Sequence, residues 1–246
     1  MGPVEVTLQK NIERQGCIHL ALFDPEKRER KLRNECTALE KMGTTAIMVG
    51  GSTIASTQEL DEMIKTIKDS CSLPVILFPN GVSGISRFAD AIFFMSLLNS
   101  SQPHYITGAQ ALGAPVVKRF KLETIPLGYI LVGESKTTVS AVSRAELIPY
   151  SKPEVAASYA LAAQYLGMRF VYLEAGSGAG RTVDALMVKK VSSELEIPLI
   201  VGGGVRTPQQ AQELVNAGAS AIVTGTVLEK EGADQVAKIV AAIGRA

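Results

Sequence analysis

Glu174 ends a run, Phe170-Val171-Tyr172-Leu173-Glu174, that leads straight into Ala175-Gly176-Ser177-Gly178-Ala179-Gly180. Alternate residues of a strand face opposite sides, so Phe170, Tyr172 and Glu174 share one face and Val171 and Leu173 the other. A carboxylate at such a strand end acts either as a general base or as an anchor for the loop behind it, and the spacing leaves both roles open. Two further glycine-rich runs, Gly202-Gly203-Gly204 and Thr224-Gly225-Thr226, let backbone N–H groups approach an anion. The first passes through Arg206 to a helix start, where the helix dipole favours phosphate. Earlier in the chain stand Asp24, followed by Pro25, and Gly50-Gly51-Ser52. Such an aspartate caps a helix, works as an acid–base group or binds Mg²⁺. One carboxylate and one hydroxyl, completed by water and phosphate oxygens, suit Mg²⁺. Two anion-type turns predict two phosphorylated substrates.

These residues converge only if the elements place them at one rim. Near-continuous apolar runs predict strands at Ile18–Phe23, Thr45–Val49, Val75–Phe78, Ala91–Phe94, Thr124–Val132, Arg169–Glu174, Pro198–Val201 and Ala221–Thr224. Parallel strands covered on both faces read this way. Helical stripes lie between them, as in Leu32/Cys36/Leu39, Leu60/Met63/Ile64/Ile67 and Val236/Ile239/Val240/Ile243. Ser151-Lys152-Pro153-Glu154 and Thr207-Pro208-Gln209-Gln210 have the form of capping boxes, and Gly218 ends the second helix. Eight strands with intervening helices predict one (β/α)8 barrel of the TIM type over residues 1–246, against an eight-stranded doubly wound sheet. In a barrel the strand C-termini form the active rim, and the loops after strands seven and eight are its usual phosphate site. The link Pro79–Asp90 is too short for a helix with two turns, which predicts a missing third helix and a slot able to admit a long apolar molecule. Gly133–Lys152 is long enough to fold over the rim.

The chain has 246 residues, 46% hydrophobic, and 25 Lys+Arg against 24 Asp+Glu leave a formal charge of +1. Near-neutral charge excludes nucleic-acid binding by bulk electrostatics. No run reaches the ~20 apolar residues of a membrane span, and the first residues do not form a signal peptide. The expectation is a soluble cytoplasmic protein. Cys17, Cys36 and Cys71 share no metal-type spacing, and His19 and His104 are too few for a zinc site. His19 reads as a satisfied residue of the barrel interior on the Cys17/Ala21/Phe23 face, and His104 as groove floor or helix surface. Phe93, Phe94, Leu97 and Leu98 read as core.

Tyr172 to Ala179, with Phe23-Asp24-Pro25-Glu26-Lys27, Val49-Gly50-Gly51-Ser52-Thr53, Phe78-Pro79-Asn80 and Val201-Gly202-Gly203-Gly204-Val205-Arg206, resembles the geranylgeranylglyceryl phosphate synthase family, in its larger, archaeal-type group. The resemblance spans Ile18 to Ile243. It implies transfer of a prenyl chain from geranylgeranyl diphosphate to the 3-hydroxyl of sn-glycerol 1-phosphate, with release of diphosphate, in archaeal ether-lipid synthesis. By the same resemblance Asp24 and Ser52 would hold Mg²⁺. Glycerol phosphate would lie against Tyr172, Leu173, Glu174, Ala175, Gly176, Ser177, Gly178, Gly203, Gly204, Gly225 and Thr226. Glu174, with Tyr172 beside it, would accept the hydroxyl proton. The family's barrel lacks its third helix, and its prenyl groove passes that gap. The family carries tryptophan where this sequence has Tyr105 on the groove floor, a departure that bears on chain length. A homo-oligomer and transient membrane contact complete the expectation. Two other functions remain compatible with a phosphate-binding barrel. One is a phosphosugar isomerase or lyase, but the aspartate such enzymes carry after strand five is absent from Gly133-Glu134-Ser135. The other is a non-catalytic phosphate-ligand sensor or scaffold.

Overall fold

The computed structural model describes residues 1–26, 31–51, 56–135 and 137–244. Ser52 and the charged stretch beginning at Lys27 lie outside the described residues, apart from Lys31. Eight parallel strands pair in chain order: β1 (Ile18–Phe23), β2 (Ala46–Val49), β3 (Val75–Leu77), β4 (Ala91–Leu97), β5 (Glu123–Leu131), β6 (Phe170–Glu174), β7 (Leu199–Gly202) and β8 (Ala221–Thr224). β8 returns to β1 with Ile18 opposite Ala221 and Ala21 opposite Thr224, which closes the barrel and excludes an open doubly wound sheet. The helices are α1 (Pro3–Gln15), α2 (Leu32–Met42), α3 (Thr57–Lys68), α4 (Ala109–Phe120), α5 (Thr138–Ser143), α6 (Pro153–Tyr165), α7 (Ala185–Glu194), α8 (Pro208–Asn216), α9 (Thr226–Glu231) and α10 (Ala233–Ile243). No helix among the described residues is long and apolar enough to cross a membrane.

Alternation along the strands sorts their side chains into two layers. Leu20, Met48, Ile76, Phe93, Leu127, Phe170, Ile200 and Val223 fill the barrel, while Ala21, Ile47, Leu77, Val171, Leu173 and Val201 pack outward against the helices. The stripes of α2, α3 and α10 supply the other half of that outer layer, through Cys36, Leu39, Leu60, Ile64, Val236 and Ile239. β4 extends three residues past the expected end at Phe94. Its continuation stays paired to Tyr129, and the Ser96 hydroxyl donates to the Ile106 carbonyl at 2.8 Å.

His19 belongs to the outer layer, which corrects its assignment to the interior. Ile18 and Leu20 point inward, so Cys17, His19, Ala21 and Phe23 point out. Its satisfied state does hold, with Nδ1 2.9 Å from the Thr44 hydroxyl and Nε2 2.8 Å from that of Thr224. Burial lowers its pKa to about 3, so the ring is neutral at physiological pH.

Thr207 caps α8 in a reciprocal box with Gln210. The matching box at Ser151 does not form. Pro153 takes the first helical position, Lys152 becomes the N-cap, and Glu154 lies one position too early to reach back. Between β3 and β4 stands only a 3₁₀ turn, Val82–Gly84, so the outer ring lacks its third helix. α1, which carries no clear sequence pattern, closes the opposite end of the barrel with Val4 and Leu8. The Glu123 carboxylate accepts from the N–H groups of Val4 and Glu5 at 2.8 Å each, and buried Glu5 pairs with Arg169.

Candidate active site

The inward parity of each strand carries through to the residue at its C-terminal end. Leu20 and Leu22 are followed in register by Asp24, Ile76 by Phe78, and Phe170 and Tyr172 by Glu174. One cavity opens there, lined among others by Asp24, Phe78, Tyr129, Tyr172 and Glu174.

Glu174 is 7% exposed, and its Oε1 accepts the Gly176 N–H at 2.6 Å. A Cβ on Gly203 would lie 2.5 Å from that oxygen, and Gly203 has φ +84°, so glycine is needed there on both counts. Burial raises the Glu174 pKa, opposed by the Tyr172 hydroxyl and the Gly176 amide. The Tyr172 hydroxyl is itself buried. It lies close enough to steady the Glu174 carboxylate, yet completes no hydrogen bond of good geometry. Burial first, then the nearby Glu174 charge, holds its pKa well above the usual phenol range, so it remains a proton donor. A buried hydroxyl left in this state costs about 1–3 kcal/mol, which a polar ligand atom would recover.

Ser177, Gly178, Gly203, Gly204, Gly225 and Thr226 edge one end of the cavity. Leu173 and Ala175 pack with the outer layer, so only their backbone is near it, and Gly176 serves through its N–H to Glu174. Asp24 follows β1, the strand that pairs with β8. Its Oδ1 accepts the Glu26 N–H at 3.1 Å, and its carboxylate rests on the Gly51 backbone, where a Cβ would come within 2.5 Å. Among the described residues no three His, Cys, Asp or Glu gather as a metal cluster. A single carboxylate at an anion-binding rim fits Mg²⁺, which keeps several waters and takes phosphate oxygens, and does not fit Zn²⁺.

Beyond Glu174 the lining turns apolar. Phe78, Tyr129 and Tyr172 form a triangle with centroids 5.3 to 5.5 Å apart. From it Ile85, Ile92, Phe94 and Met95 lead outward between the 3₁₀ turn and α4, through the gap in the helical ring. Tyr105 lines this slot from a π-helical turn, His104–Gly108, for which the sequence holds no sign. The Gln110 amide holds the turn, donating to the Met95 carbonyl at 2.6 Å and that of Tyr105 at 3.2 Å. His104 is exposed and does not line the cavity. From the β5–β6 excursion, α5 brings Val139 and Val142 to the rim.

Fold and site together define a (β/α)8 barrel with a glycine-edged cavity at its C-terminal rim that runs on into an apolar slot. Comparison with known proteins is more specific: residues 9–243 match the PcrB family, and the chain belongs to that family. It is 54% identical over 230 residues to the geranylgeranylglyceryl phosphate synthase of Pyrococcus abyssi, covering 93% of this chain and 91% of that protein. Against the synthase of Thermococcus kodakarensis the figures are 52% over 239 residues, with 97% and 94% covered. A crystal structure of (S)-3-O-geranylgeranylglyceryl phosphate synthase from Thermoplasma acidophilum with its substrate sn-glycerol-1-phosphate superposes with a TM-score of 0.93. The identity is 44%, with all of both chains covered. The tryptophan synthase alpha chain of Legionella pneumophila, at 14% identity and a TM-score of 0.64, shares the fold alone.

Proposed function

We propose that this chain is a prenyltransferase that joins the 3-hydroxyl of sn-glycerol 1-phosphate to C1 of geranylgeranyl diphosphate, forming the ether bond of an archaeal-type membrane lipid. The observation that carries this reading is the continuity of the cavity. Glycine-edged turns lie at one end, Glu174 and Tyr172 in the middle, and an apolar slot leaves through the helical gap. Neither a phosphosugar isomerase nor a sensor needs that slot.

In this reading the glycerol phosphate group takes backbone N–H groups of Gly203, Gly204, Gly225 and Thr226, with Ser177 and Gly178 opposite. The 3-hydroxyl then points at Glu174, with the Tyr172 hydroxyl as a second contact. Asp24, with Ser52, would hold Mg²⁺ at the diphosphate. Bound there, the ion supplies positive charge to the departing group. The C1–O bond to diphosphate breaks as the glycerol oxygen bonds to C1, and the hydroxyl proton passes to Glu174 and from there to water. The faces of Phe78, Tyr129 and Tyr172 suit the positive charge that disperses over the allylic carbons. A glutamate whose pKa is raised by burial is a stronger base than an exposed one.

The test is an assay with Mg²⁺ that pairs C15, C20 and C35 prenyl diphosphates with both glycerol phosphate enantiomers. An ether product from the sn-1 enantiomer, greatest with C20, is expected. Binding of sn-glycerol 1-phosphate without product from any prenyl diphosphate would overturn the reading in favour of a sensor.

A further inference from the structure

We propose that Cys36 and Cys71 form a redox-responsive pair. A low-molecular-weight disulfide closes them to a cystine, which latches α2 to the turn before β3 and stabilises the barrel at the end opposite the rim. Arg33, Cys36, Thr37 and Glu40 recur at i, i+3, i+4 and i+7, so they share one face of α2. Arg33, Thr37 and Glu40 meet Asp69, Ser70 and Ser72 in turn. The Arg33 guanidinium lies 3.8 Å from the Asp69 carboxylate, and the Thr37 hydroxyl donates to the Ser70 carbonyl at 3.1 Å. The Ser72 N–H donates to the Glu40 carboxylate at 2.8 Å. These contacts fix the two segments against each other on either side of the cysteines. Between them the Cys36 thiol donates toward the Cys71 sulfur, and both residues pack into the outer layer of the core.

The two sulfurs differ in access. Cys36 is fully buried, and burial, then the neighbouring Cys71 and Glu35, pushes its thiol up to about 12. Cys71 is half-buried, with its Sγ 3.6 Å from the Ile67 carbonyl, so exchange starts there. Its sulfur attacks the external disulfide, the S–S bond of the reagent breaks, and one reagent thiol leaves with the Cys71 proton. The Cys36 sulfur then displaces the second reagent thiol, which takes the Cys36 proton. Two protein thiols are thereby oxidised and one external disulfide is reduced to two thiols. Because the second sulfur already lies against the first, the mixed disulfide is consumed as it forms. Closure ties a loop of about 35 residues that holds β2 and α3, and so removes freedom from the unfolded chain. Neither cysteine lines the cavity, and Cys71 precedes β3 at its N-terminal end, so the latch is independent of the reaction at the rim. The third thiol, Cys17, is buried, with its Sγ 3.7 Å from the Ile18 carbonyl, and serves as an internal control.

The test treats the folded, intact chain with oxidised glutathione and reads intact mass, thiols counted after denaturation, and peptide maps without reductant. Thiols are expected to fall from three to one, with Cys17 remaining free. The protein should lose the mass of two hydrogens, retain no glutathione and yield a peptide linked through Cys36 and Cys71. Its melting temperature is expected to rise by roughly 5–10 °C and to return on addition of dithiothreitol. Cys71→Ser should keep both remaining thiols and show no rise, whereas Cys36→Ala should trap one glutathione on Cys71. Should Cys36→Ala fail to fold, the half-buried Cys71→Ser and the peptide map of the intact chain still decide the matter. Stable glutathione on Cys71 of the intact chain, a link to Cys17 or between two chains, unchanged thiols, or closure without a rise in melting temperature would each overturn the inference.

Discussion

Glu174 sits at the end of β6 with one oxygen committed to the Gly176 amide, and its burial sets two opposing demands. Its pKa rises above the ordinary value near 4.5, so between that value and the raised one the folded protein binds more protons than the unfolded chain. Stability therefore falls as pH rises through that window, and the cost persists above it. Glu174→Gln keeps an acceptor for Gly176 and removes the charge. Its melting temperature at pH 7 is expected to exceed that of the parent, and the gain to vanish below about pH 4. Turnover is expected to fall at least a hundredfold, with little change in the affinity for sn-glycerol 1-phosphate, as measured by calorimetry. An unchanged kcat would leave Glu174 as a loop anchor only. Gly203→Ala is expected to reduce affinity for glycerol phosphate, because its methyl group would occupy the position of the Glu174 oxygen.

At the scale of elements, the proposed reaction assigns chain-length specificity to the gap between β3 and β4. The α4 backbone at Gly113 approaches Ile85 closely enough that a bulky residue would fill the slot. Gly113→Phe is expected to lower turnover of C20 diphosphate well below that of a C10 diphosphate, whereas an equal loss on both would place the tail elsewhere. Much of this level is legible in the sequence. The strands stand out because their apolar runs are nearly continuous, and the gap because its short link cannot hold a helix and two turns. The same apolar continuity hides the parity of β1, since a strand buried on both faces has no polar side to orient it, and His19 reads as inward. The π-helical turn that presents Tyr105 has no periodic signature. Phe78 and Tyr129 read as ordinary strand residues until closure of the barrel sets them against Tyr172.

At the scale of the molecule, the barrel needs a floor as well as a rim. α1 provides it through Val4 and Leu8, a stripe too narrow and too broken by charge to stand out from Pro3 to Gln15. Leu8→Ala is expected to cost about 2–5 kcal/mol in denaturant unfolding, the range for truncating a buried leucine. Turnover per folded molecule should be unchanged, since the floor lies at the opposite end from the rim. Loss of activity without loss of stability would contradict that separation. In the proposed reaction the rim joins two anion sites through a single proton acceptor, and the most direct test of that arrangement is a crystal structure of the ternary complex. With sn-glycerol 1-phosphate, Mg²⁺ and the thiolodiphosphate analogue of the prenyl donor, the phosphate should rest on Gly203, Gly204, Gly225 and Thr226. The 3-hydroxyl should lie within about 3 Å of Glu174, and the tail should leave past Tyr105 between the 3₁₀ turn and α4. A tail running in any other direction, or a glycerol hydroxyl turned away from Glu174, would contradict the account.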